Sequence, residues 1–369
     1  MRKLGLVVSL LVLALPASAA RLPILASQDL WPLFAPDGRH VAFTVAQGRA
    51  FELDVVDAQT KRVARIGAAP GQLSPTWSRD GRIAYASGGV LRKSNVRGTG
   101  KYVYPSRTPA FSPAWRPRTE QLAYLTSFGA QNLDLWVGDT LWAKGVIGAP
   151  AWSPDGKNLA FQRDDSIWVA SQPLVETRLA KTSAPPGSPV WAPDGTRVAY
   201  SAGGRVYVVP ADASAAPTQV AGPFHALGPL TWAPAGDAIA FTADGKLVLT
   251  TVGGETAVLA KDAVSGASFA PSQARVLAYS GSMPGCPGHA AIRLVDKGVL
   301  TGTCVIQGTS GSDVIEGTSL WGDVIRAGSG NDRIHAGDGH TDRILCGPGR
   351  DTVWADRTDT LSGCEIVHR

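Results

Sequence analysis

The stretch AWSPDGKNLAFQ, residues 151–162, runs from an aromatic through a Pro-Asp-Gly turn into an apolar strand, and six other segments repeat it. They are LFAPDGRHVAFT (33–44), TWSRDGRIAYAS (76–87), AWRPRTEQLAYL (114–125), VWAPDGTRVAYS (190–201), TWAPAGDAIAFT (231–242) and SFAPSQARVLAYS (268–280). Their leading aromatics, Phe34, Trp77, Trp115, Trp152, Trp191, Trp232 and Phe269, are 37 to 43 residues apart. Within a copy, Pro presets φ and Gly supplies the positive φ of a tight turn. The strand that follows alternates with period two, and Ala42, Ala84, Ala123, Ala160, Ala199, Ala240 and Ala278 mark a face that packs closely on another sheet. Most copies continue into a second alternating strand, such as FELDVV at 51–56 or RVYVV at 205–209. Each repeat is therefore a small antiparallel sheet, and sheets of this size bury both faces only by stacking on copies of themselves. The expectation is an all-β chain with about seven propeller blades. Six is the alternative, because VLRKSNV (90–96) makes a poor strand in the second copy.

The Trp-Ser-Pro-Asp-Gly run at Trp152, and its near copy at Trp191, resemble the TolB-type propeller repeat, and the resemblance covers residues from about Arg21 to Gly302. The resemblance implies fold and leaves function open, since similar propellers bind partners or, in a few cases, cleave polysaccharides. Copies three, six and seven depart from the signature at Arg118-Thr119, Ala235-Gly236 and Ser272-Gln273, where turns of another shape are expected. The repeated Trp residues, and Asp37, Asp80, Asp155 and Asp194, are read as core and turn residues that every blade needs.

From Gly308 the period shortens to GTSGSDVIE, GTSLWGDVIR, AGSGNDRIH, AGDGHTDRIL and CGPGRDTVW. Asp313, Asp323, Asp332, Asp342 and Asp351 close the glycine-rich halves, and alternate ones are 19 residues apart. Two short repeats make one coil of a parallel β-roll, so Asp313, Asp332 and Asp351 share one edge, and Asp323 and Asp342 the other. Ile315, Ile325, Ile334, Ile344 and Val353 then point inward. Carboxylates together with carbonyls exposed at glycines suit calcium, which accepts an irregular shell of oxygens. The candidate metal residues are those five aspartates with Gly308, Gly311, Gly328, Gly330, Gly347 and Gly349. The segment resembles the haemolysin-type, or RTX, nonapeptide Gly-Gly-x-Gly-x-Asp-x-apolar-x, which implies calcium as the cofactor. No copy keeps the double glycine, and the copies ending at Asp323 and Asp342 carry an extra residue, so the edge of Asp313, Asp332 and Asp351 is expected to be the better one. A metal-free solenoid is the alternative.

Residues 1–20 combine Arg2 and Lys3, an apolar run at 4–15 and a small-residue stretch ending at Ala20. They read as a removable secretory signal peptide, too short to span a bilayer. The expected domains are the signal at 1–20, the propeller at 21–304 and the roll at 305–369. The propeller carries 27 basic against 20 acidic residues and the roll 6 against 10. Without a Lys/Arg block, this mild balance argues against nucleic acid, and no other run is long enough for a membrane span. The four cysteines permit three pairings, and an oxidising compartment allows any of them. The sequential pairing, Cys286–Cys304 and Cys346–Cys364, is favoured because it closes two equally short loops and caps the C-terminus. Zinc is disfavoured because no Cys-x-x-Cys occurs.

No Gly-x-Ser-x-Gly elbow or His-Glu-x-x-His is present. His335 and His340 are read as surface residues, and His225 as a candidate for the propeller's channel. The function expected is that of a secreted, calcium-binding, non-catalytic propeller protein that takes an extracellular or cell-envelope protein, peptide or glycan. The alternative is an extracellular enzyme, a polysaccharide lyase or hydrolase or a peptidase-like protein, with residues drawn from several blades.

Overall fold

The computed structural model describes residues 27–47, 50–70, 74–127, 133–271, 276–282, 290–295, 298–299, 304–317 and 322–369. The expected signal peptide at 1–20 and Cys286, with its expected bond to Cys304, lie outside these residues. All regular structure described is strand, and no helix of the described residues is long and apolar enough to cross a membrane. The chain divides into two compact units, Leu25–Cys304 and Val305–Arg369.

The first unit is a propeller of seven four-stranded antiparallel blades. Their inner strands are Ser27–Phe34, Thr76–Trp77, Ala110–Trp115, the second half of Thr140–Trp152, Val190–Trp191, Thr231–Trp232 and Ala263–Phe269. Thr140–Trp152 serves two blades, as outer strand of the third and inner strand of the fourth, with a register shift between Ile147 and Ala151. The seven alanines lie on the second strands and are wholly buried. Beside them Phe43, Tyr85, Tyr124, Phe161, Tyr200, Phe241 and Tyr279 fill the gaps between sheets. One apolar cluster lies at each blade junction, and that of Phe34, Val41 and Phe43 with Ala278, Ile292 and Leu294 closes the ring.

Four of the five leading tryptophans also act as stitches between blades, while Trp115 Nε1 donates within its own turn to Thr119 O (3.0 Å). Trp77 Nε1 donates to Leu33 O (3.0 Å), Trp152 to Ala114 O (3.2 Å), Trp191 to Ala151 O (2.9 Å) and Trp232 to Val190 O (3.1 Å). Each bond reaches the carbonyl just before the leading aromatic of the preceding blade. In the turns, Asp37, Asp155 and Asp194 accept the N–H two residues on, and Asp80 accepts from Ser78 Oγ and Arg82 Nε. Copy six keeps the common turn, because Gly236 takes φ 73° and donates to Ala233 O, so the departure expected there is absent. Copy three makes its turn with Arg118 at φ 61°, while 272–275 lie outside the described residues.

The second blade solves the problem posed by VLRKSNV with a buried lysine. Lys93 Nζ lies 4.3 Å from the Trp115 ring centroid and 4.6 Å from that of Tyr104, donates to Glu120 O and faces the Glu120 carboxylate at 3.6 Å. Aromatic faces and a carboxylate offset the loss of water around the ammonium.

Asp54, in the strand Ala50–Asp57 of blade 1, is less well compensated. Burial pushes its carboxyl up to about 6, helped by Glu52 and opposed by Arg65, whose Nε is 3.9 Å away. A carboxyl raised in the folded state destabilises as it ionises. Stability is therefore expected to fall as pH rises from about 4 to 6 and to stay reduced above that. Asp54→Asn should raise the propeller's stability by about 2 kcal/mol at pH 7.5 and leave it unchanged at pH 4. Equal melting shifts at both pH values would contradict this assignment.

Candidate metal centre

The second unit is a parallel β-roll of two four-stranded sheets. One sheet runs Val314–Glu316, Arg333–His335, Thr352–Trp354, Ile366–His368; the other runs Cys304–Gln307, Asp323–Arg326, Arg343–Leu345, Thr360–Ser362. Registers such as Ile315↔Ile334 and Ile325↔Ile344 place the expected core residues in line, all buried. Ala327, Ala336, Cys346 and Ala355, at the first glycine position of the nonapeptide, are buried as well. Two further strands follow Trp354, one in each sheet, and they form a last coil that is shorter. Thr360 pairs with Arg343, 17 residues before it, and Ile366 with Thr352, 14 before it. On the outer surface His335, Trp354 and His368 stack with ring centroids 4.3 and 5.1 Å apart.

The glycines allow the loops to lie on one another. A Cβ on Gly328 (φ 103°) would come within 1.9 Å of Thr309 O, and one on Gly347 (φ 96°) within 2.0 Å of Gly328 O. Gly308, Gly330 and Gly349 meet backbone just as closely, whereas Gly311 has room for a side chain.

The aspartates form two ladders between the coils. On one edge Asp313 N–H donates to Asp332 Oδ1 (2.8 Å), Asp332 N–H to Asp351 Oδ1 (2.8 Å) and Asp351 N–H to Glu365 Oε2 (2.9 Å). On the other, Asp323 N–H donates to Asp342 Oδ1 (2.7 Å) and Asp342 N–H to Asp359 Oδ1 (2.8 Å). Asp359 and Glu365 escaped the sequence reading because the shorter last coil breaks the 19-residue spacing. Asp313 sits at the open end, where Thr309 N–H donates to its Oδ2 (2.7 Å).

Each ladder bond uses one carboxylate oxygen and orients the other. Asp332 Oδ2, Asp342 Oδ2 and Asp351 Oδ2 are buried with no hydrogen-bond partner. Burial pushes the Asp342 carboxyl up to about 7, with Asp338, Asp323 and Asp359 adding to the rise. Asp332 is raised for the same reason, with Asp351 and Asp313 nearby. A buried, unpartnered carboxylate oxygen is costly alone and well matched to a hard cation.

Among the described residues, carboxylate oxygens of Asp323, Asp338 and Asp342 lie within 4.8 Å of one another. This is the edge expected to be the poorer one. Asp338 makes the difference, because it occupies the loop position held by Ser329 and Pro348 on the opposite edge. Its Oδ2 is likewise buried and unpartnered, while its Oδ1 accepts His340 N–H (2.8 Å). The donor set therefore fits calcium.

Residues 322–353 match the RTX calcium-binding nonapeptide repeat, in four copies. No curated protein matches the chain. Among solved structures, the propeller resembles the β-propeller domain of Cps50 (Swd1) from Myceliophteria thermophila, at 13% identity over 72% of this chain and 97% of that one, with a TM-score of 0.56. An oligogalacturonate lyase in complex with manganese is 14% identical over 73% of this chain and 89% of its own, with a TM-score of 0.58. TolB from Acinetobacter baumannii is 18% identical, over 66% and 73% respectively, with a TM-score of 0.44. At these identities the first two likenesses show a β-propeller fold and nothing of activity. Cys346 and Cys364 form a disulfide across the last coil, with Cα atoms 5.3 Å apart.

Proposed function

We propose that this is an exported, calcium-binding, non-catalytic propeller protein whose roll is completed by calcium and whose blades hold a protein, peptide or glycan outside the cytoplasm. The observation that carries the calcium reading is the set of buried second oxygens on Asp332, Asp342 and Asp351, each aimed by a ladder bond and left without a partner. Calcium would draw its ligands from Asp323, Asp338 and Asp342 on one edge, and from Asp332 and Asp351 on the other. The disulfide and the leader-like residues 1–20 support export into an oxidising compartment.

The affinity expected is that of extracellular modules, on the order of 10⁻⁴ to 10⁻³ M. About 10 mM calcium should then stabilise the roll by roughly 1.5–3 kcal/mol per ion. Thermal melts in calcium and in EDTA check this, with Asp342→Asn and Asp332→Asn each expected to lose much of the shift. A wild-type melt indifferent to calcium would sink the reading. Incubation with oligogalacturonate and with a peptide panel tests the non-catalytic part, and turnover of either would overturn it.

A further inference from the structure

Trp31 stands outside the sevenfold pattern. It lies three residues before the leading Phe34, where the other blades carry Ser74, Ser112, Ala149, Ser188, Pro229 and Gly266. Its backbone takes a positive φ of 49°, as do Ser74 (37°), Ser112 (44°) and Gly266 (54°) at the same position, so the turn of the chain belongs to the repeat and the large aromatic side chain is what sets blade 1 apart. The residue is half-buried, and no inter-blade cluster among the described residues includes it. Blade 7 holds it in place. Trp31 N–H donates to Ser265 Oγ (3.3 Å), and a Cβ on Gly266 would stand 3.2 Å from the indole Cδ1.

Trp31 lines a cleft of about 250 Å³ between the inner strands of blades 1 and 7, the turn at 242–245 of blade 6 and the connection at 226–229. The far wall is cross-linked by Gly228 N–H to Thr242 O (2.8 Å) and Asp244 N–H to Ala226 O (3.1 Å). Asp244, itself at φ 49°, accepts the His225 and Ala226 N–H groups on Oδ1 at 3.0 and 2.8 Å. Val264 adds an apolar side chain that is 43% exposed. Among the described residues of the lining, Asp244 is the one charged side chain, and none is lysine or arginine.

We propose that this cleft binds a neutral sugar residue of a glycan, its C–H face on the Trp31 indole and its hydroxyls on the Asp244 carboxylate. An aromatic face suits the apolar side of a pyranose ring, and a carboxylate beside it accepts hydrogen bonds from adjacent hydroxyls. A uronate would meet Asp244 with no cation to offset the repulsion. The assignment rests on the binding role proposed above for the propeller and selects the glycan among its partners.

The test is calorimetric titration of the full chain, in calcium, with cellohexaose, maltohexaose, xylohexaose and mannohexaose, beside hexagalacturonate. At least one neutral oligosaccharide should bind saturably and hexagalacturonate should not. Trp31→Ala should weaken binding about tenfold or more, and Trp31→Phe less. Val264→Arg, at an exposed position, should block the cleft without disturbing the fold, which covers the case in which Trp31→Ala fails to fold. Absence of binding by all four neutral sugars, equal binding by Val264→Arg, or hexagalacturonate binding as tightly as the best neutral sugar would overturn the cleft. The calcium-dependent melt read on the same samples reports on the roll alone, so the two proposals fail separately.

Discussion

Gly328→Ala is expected to abolish the ordered roll, whereas Gly311→Ala should be tolerated within about 0.5 kcal/mol. Both glycines occupy the glycine-rich halves of one edge, and sequence gives no reason to separate them. At Gly328 a methyl group would stand 1.9 Å from Thr309 O at a φ of 103°. The obstacle is backbone, which cannot swing aside, so the coils must part and the ladder from Asp313 to Asp332 opens with them. At Gly311 the nearest atom to a new methyl is Thr309 Oγ1 at 3.6 Å, an ordinary contact. The cost at Gly328 should exceed about 3 kcal/mol, more than so small a unit can lose. Calorimetry should show the roll's transition missing in Gly328→Ala while the propeller's remains. Similar melts for the two variants would mean that glycine serves flexibility there and not close stacking.

The second large effect concerns Cys346–Cys364. Cys346 is fully buried in the column of small residues that includes Ala327, and its partner lies 18 residues on, in the shortened last coil. Closing a loop of that length stabilises by about 3 kcal/mol on the chain-entropy account. Here it also tethers the strands Thr360–Ser362 and Ile366–His368, which end the two sheets, and with them Asp359 and Glu365. Cys346→Ala combined with Cys364→Ser should therefore lower the roll's stability by about 3 kcal/mol and weaken its calcium response. A melt unchanged by the double substitution, or by reductant on the wild type, would show that the last coil holds without the bond.

Recurrence made most of the fold legible. Seven leading aromatics and seven alanines repeat because every blade meets its neighbours in the same way, and the alanines are buried without exception. The 19-residue alternation of aspartates likewise reports the coil length while that length stays constant. Where a residue acts once, recurrence conceals it. Asp359 and Glu365 continue the ladders from the last coil, at spacings of 17 and 14 residues, and Asp338 joins the metal group from a loop position that others fill with serine or proline. Lys93 reads as a flaw in a strand until Tyr104, Trp115 and Glu120 surround it. Trp31 reads as one more aromatic until its neighbours prove to be a cleft.

Equilibrium dialysis of the oxidised full chain against calcium, beside Asp342→Asn, tests the central claim most directly. The account predicts saturable uptake by the wild type between about 10⁻⁴ and 10⁻³ M, with at least one ion lost in the variant. Equal uptake by both proteins, or none by the wild type, would contradict it.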